Sequence, residues 1–192
     1  LSIHFGEDKT KSIVFGSNKR LKNLDELDIR HGDNKITQYS KVTYLGCILD
    51  QNMSGGSMAT KVLKQINGRL KFLYRKQSFL TFPLRRMLCN ALMQPHFDYA
   101  CSAWYPNLNK KLTKKIQTAQ NKCIRFCLYM GNRSHIGIKE FERINRMPTR
   151  ERFEQYVCVG AYKFFNKLAP SYMSDIFKPS NNTQNTRSST CS

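Results

Sequence analysis

Acidic side chains are scarce in this chain of 192 residues: 13 Asp and Glu stand against 32 Lys and Arg, a net charge of +19. Long apolar runs are missing as well. No stretch approaches the ~20 consecutive apolar residues of a membrane-spanning helix, so no membrane span is expected. The opening residues, Leu1 to Asp8, lack a basic segment followed by an apolar run and do not read as a signal peptide. They also lack an initiator Met, which predicts a piece of a longer polypeptide. Cysteines number seven, odd and without paired spacing. That pattern reads as reduced thiols in an intracellular compartment, cytoplasm or nucleus, and not as a disulfide framework. Catalytic signatures are thin. Gly55-Gly56-Ser57 does not have the spacing of a phosphate loop. There is no His-Glu-x-x-His, no Gly-x-Ser-x-Gly and no Asp-Asp pair.

What the chain does have is a hydrophobic content of 40%, enough for a packed core. Its charge is concentrated. Residues 1–50 carry 8 basic and 7 acidic groups, whereas residues 51–139 carry 16 basic groups against Asp98 alone. Residues 140–192 hold 8 against 5. A segment this one-sided repels itself unless counter-charge is supplied, and polyphosphate is the commonest supplier. The competing partners are an acidic protein surface and an anionic membrane face; no membrane partner is expected, because the face opposite the charge is needed for the core.

Local patterning predicts an α+β chain. Ile3-His4-Phe5 and Ser12–Phe15 are short β-type runs around Gly6-Glu7-Asp8. Leu27–Arg30 and Lys35–Gln38 alternate about Gly32-Asp33-Asn34 as a hairpin would. Val42–Leu49 is a further run of apolar and β-branched residues. Asn52–Ser57 is loop chemistry and ends this β-rich segment, taken as 1–52. Ser57 can cap a helix over 58–77. With Lys61 at zero, its apolar residues fall between about 60° and 200°, while Lys61, Lys64, Lys71 and Arg75 fall between about 280° and 360°. Arg69 and Lys76 are exceptions. A second helix starts at Pro83, burying Leu84, Met87, Leu88, Ala91 and Leu92, and ends near Pro95. His96–Tyr105 is aromatic-rich and helical. A third helix runs from Lys110 to Met130, with Asn109 as cap and Gly131 as stop. Here Leu112, Ile116, Ala119, Cys123, Phe126, Cys127 and Met130 span about 60° to 160°. Lys111, Lys114, Lys115, Lys122 and Arg125 span about 300° to 40°. Surface helices ordinarily mix signs, because like charges at i,i+4 destabilise. Two consecutive all-basic faces therefore point to a polyanion. A helical region over 132–178 follows, whose last helix begins at Pro148-Thr149 with Phe153, Tyr156, Val157, Ala161, Phe164, Phe165 and Leu168 on its apolar side. A polar tail over 179–192 reads as disordered.

Metal-site patterns are weak. Asp25, Glu26 and Asp28 form an acidic turn. Cys123, Cys127 and His135 would need Glu140 as fourth zinc ligand, a poor structural set, and both cysteines lie on an apolar arc. No metal site is predicted.

Six blocks occur in an order that carries more information than any one of them. They are Leu1–Ser17, Val42–Asp50, Arg69-Leu-Lys-Phe-Leu-Tyr-Arg75, His96-Phe-Asp-Tyr-Ala-Cys-Ser-Ala-Trp-Tyr-Pro106, Lys114-Lys-Ile-Gln-Thr-Ala-Gln-Asn-Lys-Cys-Ile-Arg125 and Ala169-Pro-Ser-Tyr172. Together they resemble the C-terminal part of the reverse transcriptases of non-LTR (LINE-like, jockey-type) retrotransposons. The resemblance implies a map. Residues 1–52 would be the end of the palm, small and antiparallel. Lys9-Thr10 would follow the catalytic aspartates, with Lys9 a candidate proton donor to pyrophosphate in the full enzyme. Tyr44-Leu45-Gly46 would be the primer-grip turn. Residues 53–131 would be a helical thumb lying on the duplex of RNA template and DNA primer, and 132–178 a post-thumb region. The missing upstream fingers and palm would be a partner in the same polypeptide, and the Mg2+ of the full enzyme would bind there, this segment needing no cofactor. The family's paired-Asp hairpin is not in this sequence, so the chain is expected to grip nucleic acid without polymerising. The alternative is a domesticated basic helical module that binds RNA or an acidic protein.

Overall fold

The computed structural model describes residues 10–24 and 27–174. Ile3-His4-Phe5, Glu7, Asp8, Lys9, Asp25, Glu26 and the tail over 179–192 lie outside the described residues. The fold is α+β, as the patterning predicts, with two small antiparallel sheets ahead of a helical body. The first elements are a helix α1 (Asn18–Lys22), which the sequence reading did not foresee, and a hairpin of β1 (Arg30–His31) and β2 (Asn34–Lys35). Ser12–Phe15 is not a strand. It contributes only an isolated bridge from Ser12 to Gln38.

The run Val42–Leu49 folds back on itself as β3 (Lys41–Tyr44) and β4 (Cys47–Asp50), with Tyr44 opposite Cys47 and Lys41 opposite Asp50. The hinge is Leu45-Gly46, both at positive φ, 45° and 81°. Two such residues make the tight turn whose twist matches the strands. For Leu45 this conformation costs roughly 1–2 kcal/mol, and its neighbours compensate, as described below. Asp50 then ties the hairpin to the helices. Its carboxylate is buried and accepts from the Ser54 backbone N–H at 2.8 Å and the Ser54 hydroxyl at 3.0 Å.

The helical body comprises α2 (Gly56–Tyr74), a 3-10 turn (Gln77–Phe79), α3 (Phe82–Leu92), α4 (Gln94–Asp98), α5 (Cys101–Trp104), α6 (Lys110–Leu128) and α7 (Ile138–Arg143). Helix α2 begins before Ser57. Gly55 caps it in the left-handed region at φ 68°. A Cβ there would stand 2.0 Å from the Trp104 carbonyl oxygen, so the chain passes α5 at a distance only glycine permits. Helix α6 follows its expected form. Asn109 Oδ1 accepts from the Leu112 N–H at 2.9 Å, although Tyr129 at φ 58°, not Gly131, ends it.

The core lies chiefly between α2 and α6. Val62, Ile66, Ile116 and Phe126 are wholly buried, with Trp104, Met93 and Ile124 nearly so. At ~1.5–3 kcal/mol each, such side chains dominate the folding energy. Cys89, Cys101, Cys123 and Cys127 are buried free thiols, and burial pushes the Cys123 thiol up to about 12. They pack as small apolar groups.

Helix α3 corrects the sequence reading. Leu84, Met87, Ala91 and Leu92 are exposed and Leu88 is half-buried. The buried residues of α3 are Arg85 and Cys89, followed by Met93 just past its end. Arg85 Nε donates to the Cys127 carbonyl at 2.9 Å, a second guanidinium N–H donates to the Leu80 carbonyl, and the charge lies 5.1 Å from the Tyr129 ring centre. A cation at the C-terminal end of α6 satisfies carbonyls that no helix can satisfy internally. That gain rotates α3 away from its most apolar face.

Contacts divide the chain after Phe153, within α8 (Thr149–Phe165). In the first unit, Phe153 stacks on Tyr105 with ring centres 5.2 Å apart. Arg152 pairs with Asp98 at 3.1 Å, so the one acid of the basic segment is neutralised internally. The second unit contains the rest of α8 and α9 (Ser171–Ser174). Among its described residues none is buried, so the apolar positions expected along α8 from Tyr156 to Leu168 form no core there.

Candidate nucleic-acid interface

Helices α2 and α6 run in the same direction. Leu112, near the start of α6, lies 3.5 Å from where a Cβ on Gly56 would stand. At the other end the Tyr74 hydroxyl donates to the Lys122 carbonyl at 3.1 Å, and the Gln77 amide donates to the Phe126 carbonyl at 3.1 Å. Burial pushes the Tyr74 phenol up to about 12, so it stays a protonated donor. For two parallel helices this contact fixes which flanks adjoin. Tyr74 projects at about 220° on α2, beside Lys71 and Lys64 at about 280° and 300°. Lys122 projects at about 20° on α6, beside Lys111 and Lys115 at about 0° and 40°. The two lysine-bearing flanks therefore share one side of the seam.

Lys64, Lys71, Arg75, Lys111, Lys114, Lys115 and Lys122 are all exposed. None pairs with a carboxylate among the described residues. Several like charges stand one turn apart, each such pair costing a few tenths of a kcal/mol. A polyanion laid over the seam would relieve that repulsion. Other basic groups are engaged inside the fold. Arg125 Nε donates to the Ser134 carbonyl at 2.8 Å and secures the turn after α6. Arg69, an exception on the wheel, reaches the Leu92 carbonyl at the end of α3 and the His96 ring. Burial and the neighbouring Arg69 hold His96 below its usual range. The structure thus separates carbonyl-holding basic groups, Arg69, Arg85 and Arg125 among them, from the exposed lysines and Arg75, a division the charge count does not contain.

Lys61 has a different place. Its Nζ donates to the Gly46 carbonyl at 2.8 Å, while the Tyr99 hydroxyl donates to the Leu45 carbonyl. These two donors hold the strained Leu45-Gly46 turn against α2 and α4. The Tyr44 and Leu45 side chains remain 64% and 75% exposed at its tip. The turn is therefore rigidly mounted and presents an apolar, aromatic surface. Lys9 lies outside the described residues. Sequence reasoning missed Tyr99 as the anchor of this turn and Phe72 as an exposed ring at the edge of the basic arc of α2. Phe72 had a signal, since it projects at about 20°, just past Lys61 at the edge of that arc.

Among the described residues no three His, Cys, Asp or Glu side chains are grouped to hold a metal ion. The Mg2+ that the resemblance implies for a full polymerase finds no donor set in these residues. Nor is any described helix long and apolar enough to cross a membrane. Compared with protein-family models, curated proteins and solved structures, the chain matches none.

Proposed function

We propose that this chain is the palm-end and thumb segment of a retrotransposon-type reverse transcriptase, and that its own activity is to hold the template–primer duplex. The observation that carries this reading is the pair of lysine flanks on one side of the α2–α6 seam, with no carboxylate among them. In this reading Lys64, Lys71, Arg75, Lys111, Lys114, Lys115 and Lys122 contact phosphates, and Arg125 and Lys61 shape the surface from within. Tyr44, Leu45 and Gly46 form a turn held stiffly enough to position a strand end. Lys9 acts only in the complete enzyme. Nucleotidyl transfer needs carboxylates to hold its metal ions, and this sequence has no paired aspartates, so gripping and not polymerisation is its part.

Such binding is sequence-independent and strongly salt-dependent. With about seven phosphates contacted, affinity for a nucleic-acid duplex should fall by about 10³ to 10⁴ between 50 and 200 mM salt. Fluorescence anisotropy of an RNA–DNA hybrid over that range tests this. A flat salt response would contradict it. Tight binding to an acidic protein that RNA fails to displace would favour the domesticated-module alternative.

A further inference from the structure

Phe79 and Phe72, 80% and 65% exposed, are the two most exposed aromatic side chains among the described residues, Phe72 in the last turn of α2 and Phe79 in the 3-10 turn that follows it. Phe72 stands between Lys71 and Arg75 in sequence, one turn after Gly68. At Gly68 a Cβ would have nothing within 4 Å, so the surface before the ring is open. Phe79 closes the 3-10 turn three residues after Lys76, and the Gln77 amide pins that turn to α6. The rings follow one another along a nearly continuous helical stretch, on the order of 10 Å apart. Both are mounted on fixed backbone with cations beside them.

Phosphate contacts make no use of a ring face, and a duplex hides the faces of its bases. Unpaired bases expose theirs, and stacking on an aromatic side chain is tolerant of sequence because every base has a π-face. The cations Lys71, Arg75 and Lys76 supply the complementary charge for the phosphates of such a strand. We infer that Phe72 and Phe79 form a stacking platform for unpaired bases, where a single-stranded segment leaves the lysine-bearing surface. This rests on the nucleic-acid reading above and adds to it a preference for duplexes with a single-stranded extension.

The test uses the 192-residue chain with a blunt RNA–DNA hybrid and the same hybrid carrying a single-stranded overhang. The overhang should tighten binding about tenfold or more. Phe72→Ala and Phe79→Ala should each remove about tenfold from overhang binding, leave the blunt hybrid unaffected and keep the salt slope. Phe72→Trp should retain affinity, with its indole fluorescence quenched on binding the overhang. Equal binding of blunt and overhang hybrids by the unaltered chain would overturn the platform while leaving the lysine surface standing. Alanine variants that weaken both hybrids equally would do the same. If neither hybrid binds, the platform and the nucleic-acid reading fail together.

Discussion

Replacing Lys111, Lys114, Lys115 and Lys122 together by Gln should reduce the slope of log affinity against log salt by about 3.6, from about 0.9 per lost phosphate contact. Affinity for a duplex at 0.1 M salt should drop on the order of a thousandfold. The four side chains are exposed, on one flank of α6, and make no ion pair among the described residues. Their loss should therefore leave the fold intact, or slightly stabilise it by relieving i,i+3 and i,i+4 repulsion. A matched control removes the same charge elsewhere, through Lys19, Lys22, Lys41 and Lys139 to Gln. If affinity followed net charge alone, both variants would lose equally. If the α2–α6 flank is the interface, only the first loses most of the slope. Anisotropy titrations of both variants at several salt concentrations separate these outcomes.

The second large effect is on stability. Gly55→Ala should destabilise the chain by about 4 kcal/mol, a fall of roughly 10 °C in Tm. The new Cβ would stand 2.0 Å from the Trp104 carbonyl oxygen, and 3.1 Å from its Cα, with both obstacles in backbone. The left-handed φ of 68° adds its own penalty. Relief requires α2 to move off α5, which would open the core around Trp104. Gly68→Ala is the internal comparison. It sits mid-helix with nothing near its missing Cβ, so it should stabilise by about 0.5–1 kcal/mol. Opposite signs for Gly→Ala at the cap and in the middle of one helix would confirm that Gly55 serves a close approach. Thermal unfolding followed by circular dichroism measures both.

Some elements were legible because local signals agreed. Helix α6 has a capping Asn109, an apolar arc and a basic arc, and it folds as those dictate. The α2 face was legible for the same reason, though its start was not. Ser57 offered a side-chain cap, yet the chain must pass Trp104 at Gly55, and that long-range approach sets where the helix begins. Helix α3 was misread for a physical reason that no local window contains. Its apolar residues Leu84, Met87 and Ala91 suggest one face. The free carbonyls at Leu80 and Cys127 draw Arg85 inward instead and turn those residues out. The run Val42–Leu49 hid a turn because Leu45 does not favour positive φ. Lys61 and Tyr99, remote in sequence, hold it there. At the candidate interface the positions of the lysines were legible from periodicity alone. That the two flanks adjoin was not, since it depends on the parallel packing revealed by the Tyr74–Lys122 and Gly56–Leu112 contacts.

Lysine acetylation footprinting reads out whether nucleic acid lies on the shared α2–α6 flank. The chain is modified with and without a saturating RNA–DNA hybrid, and each lysine is read by mass spectrometry. Protection confined to Lys64, Lys71, Lys111, Lys114, Lys115 and Lys122, with Lys19, Lys22, Lys139 and Lys163 unchanged, is the expected result. Protection spread evenly over all lysines, or centred away from α2 and α6, would contradict it.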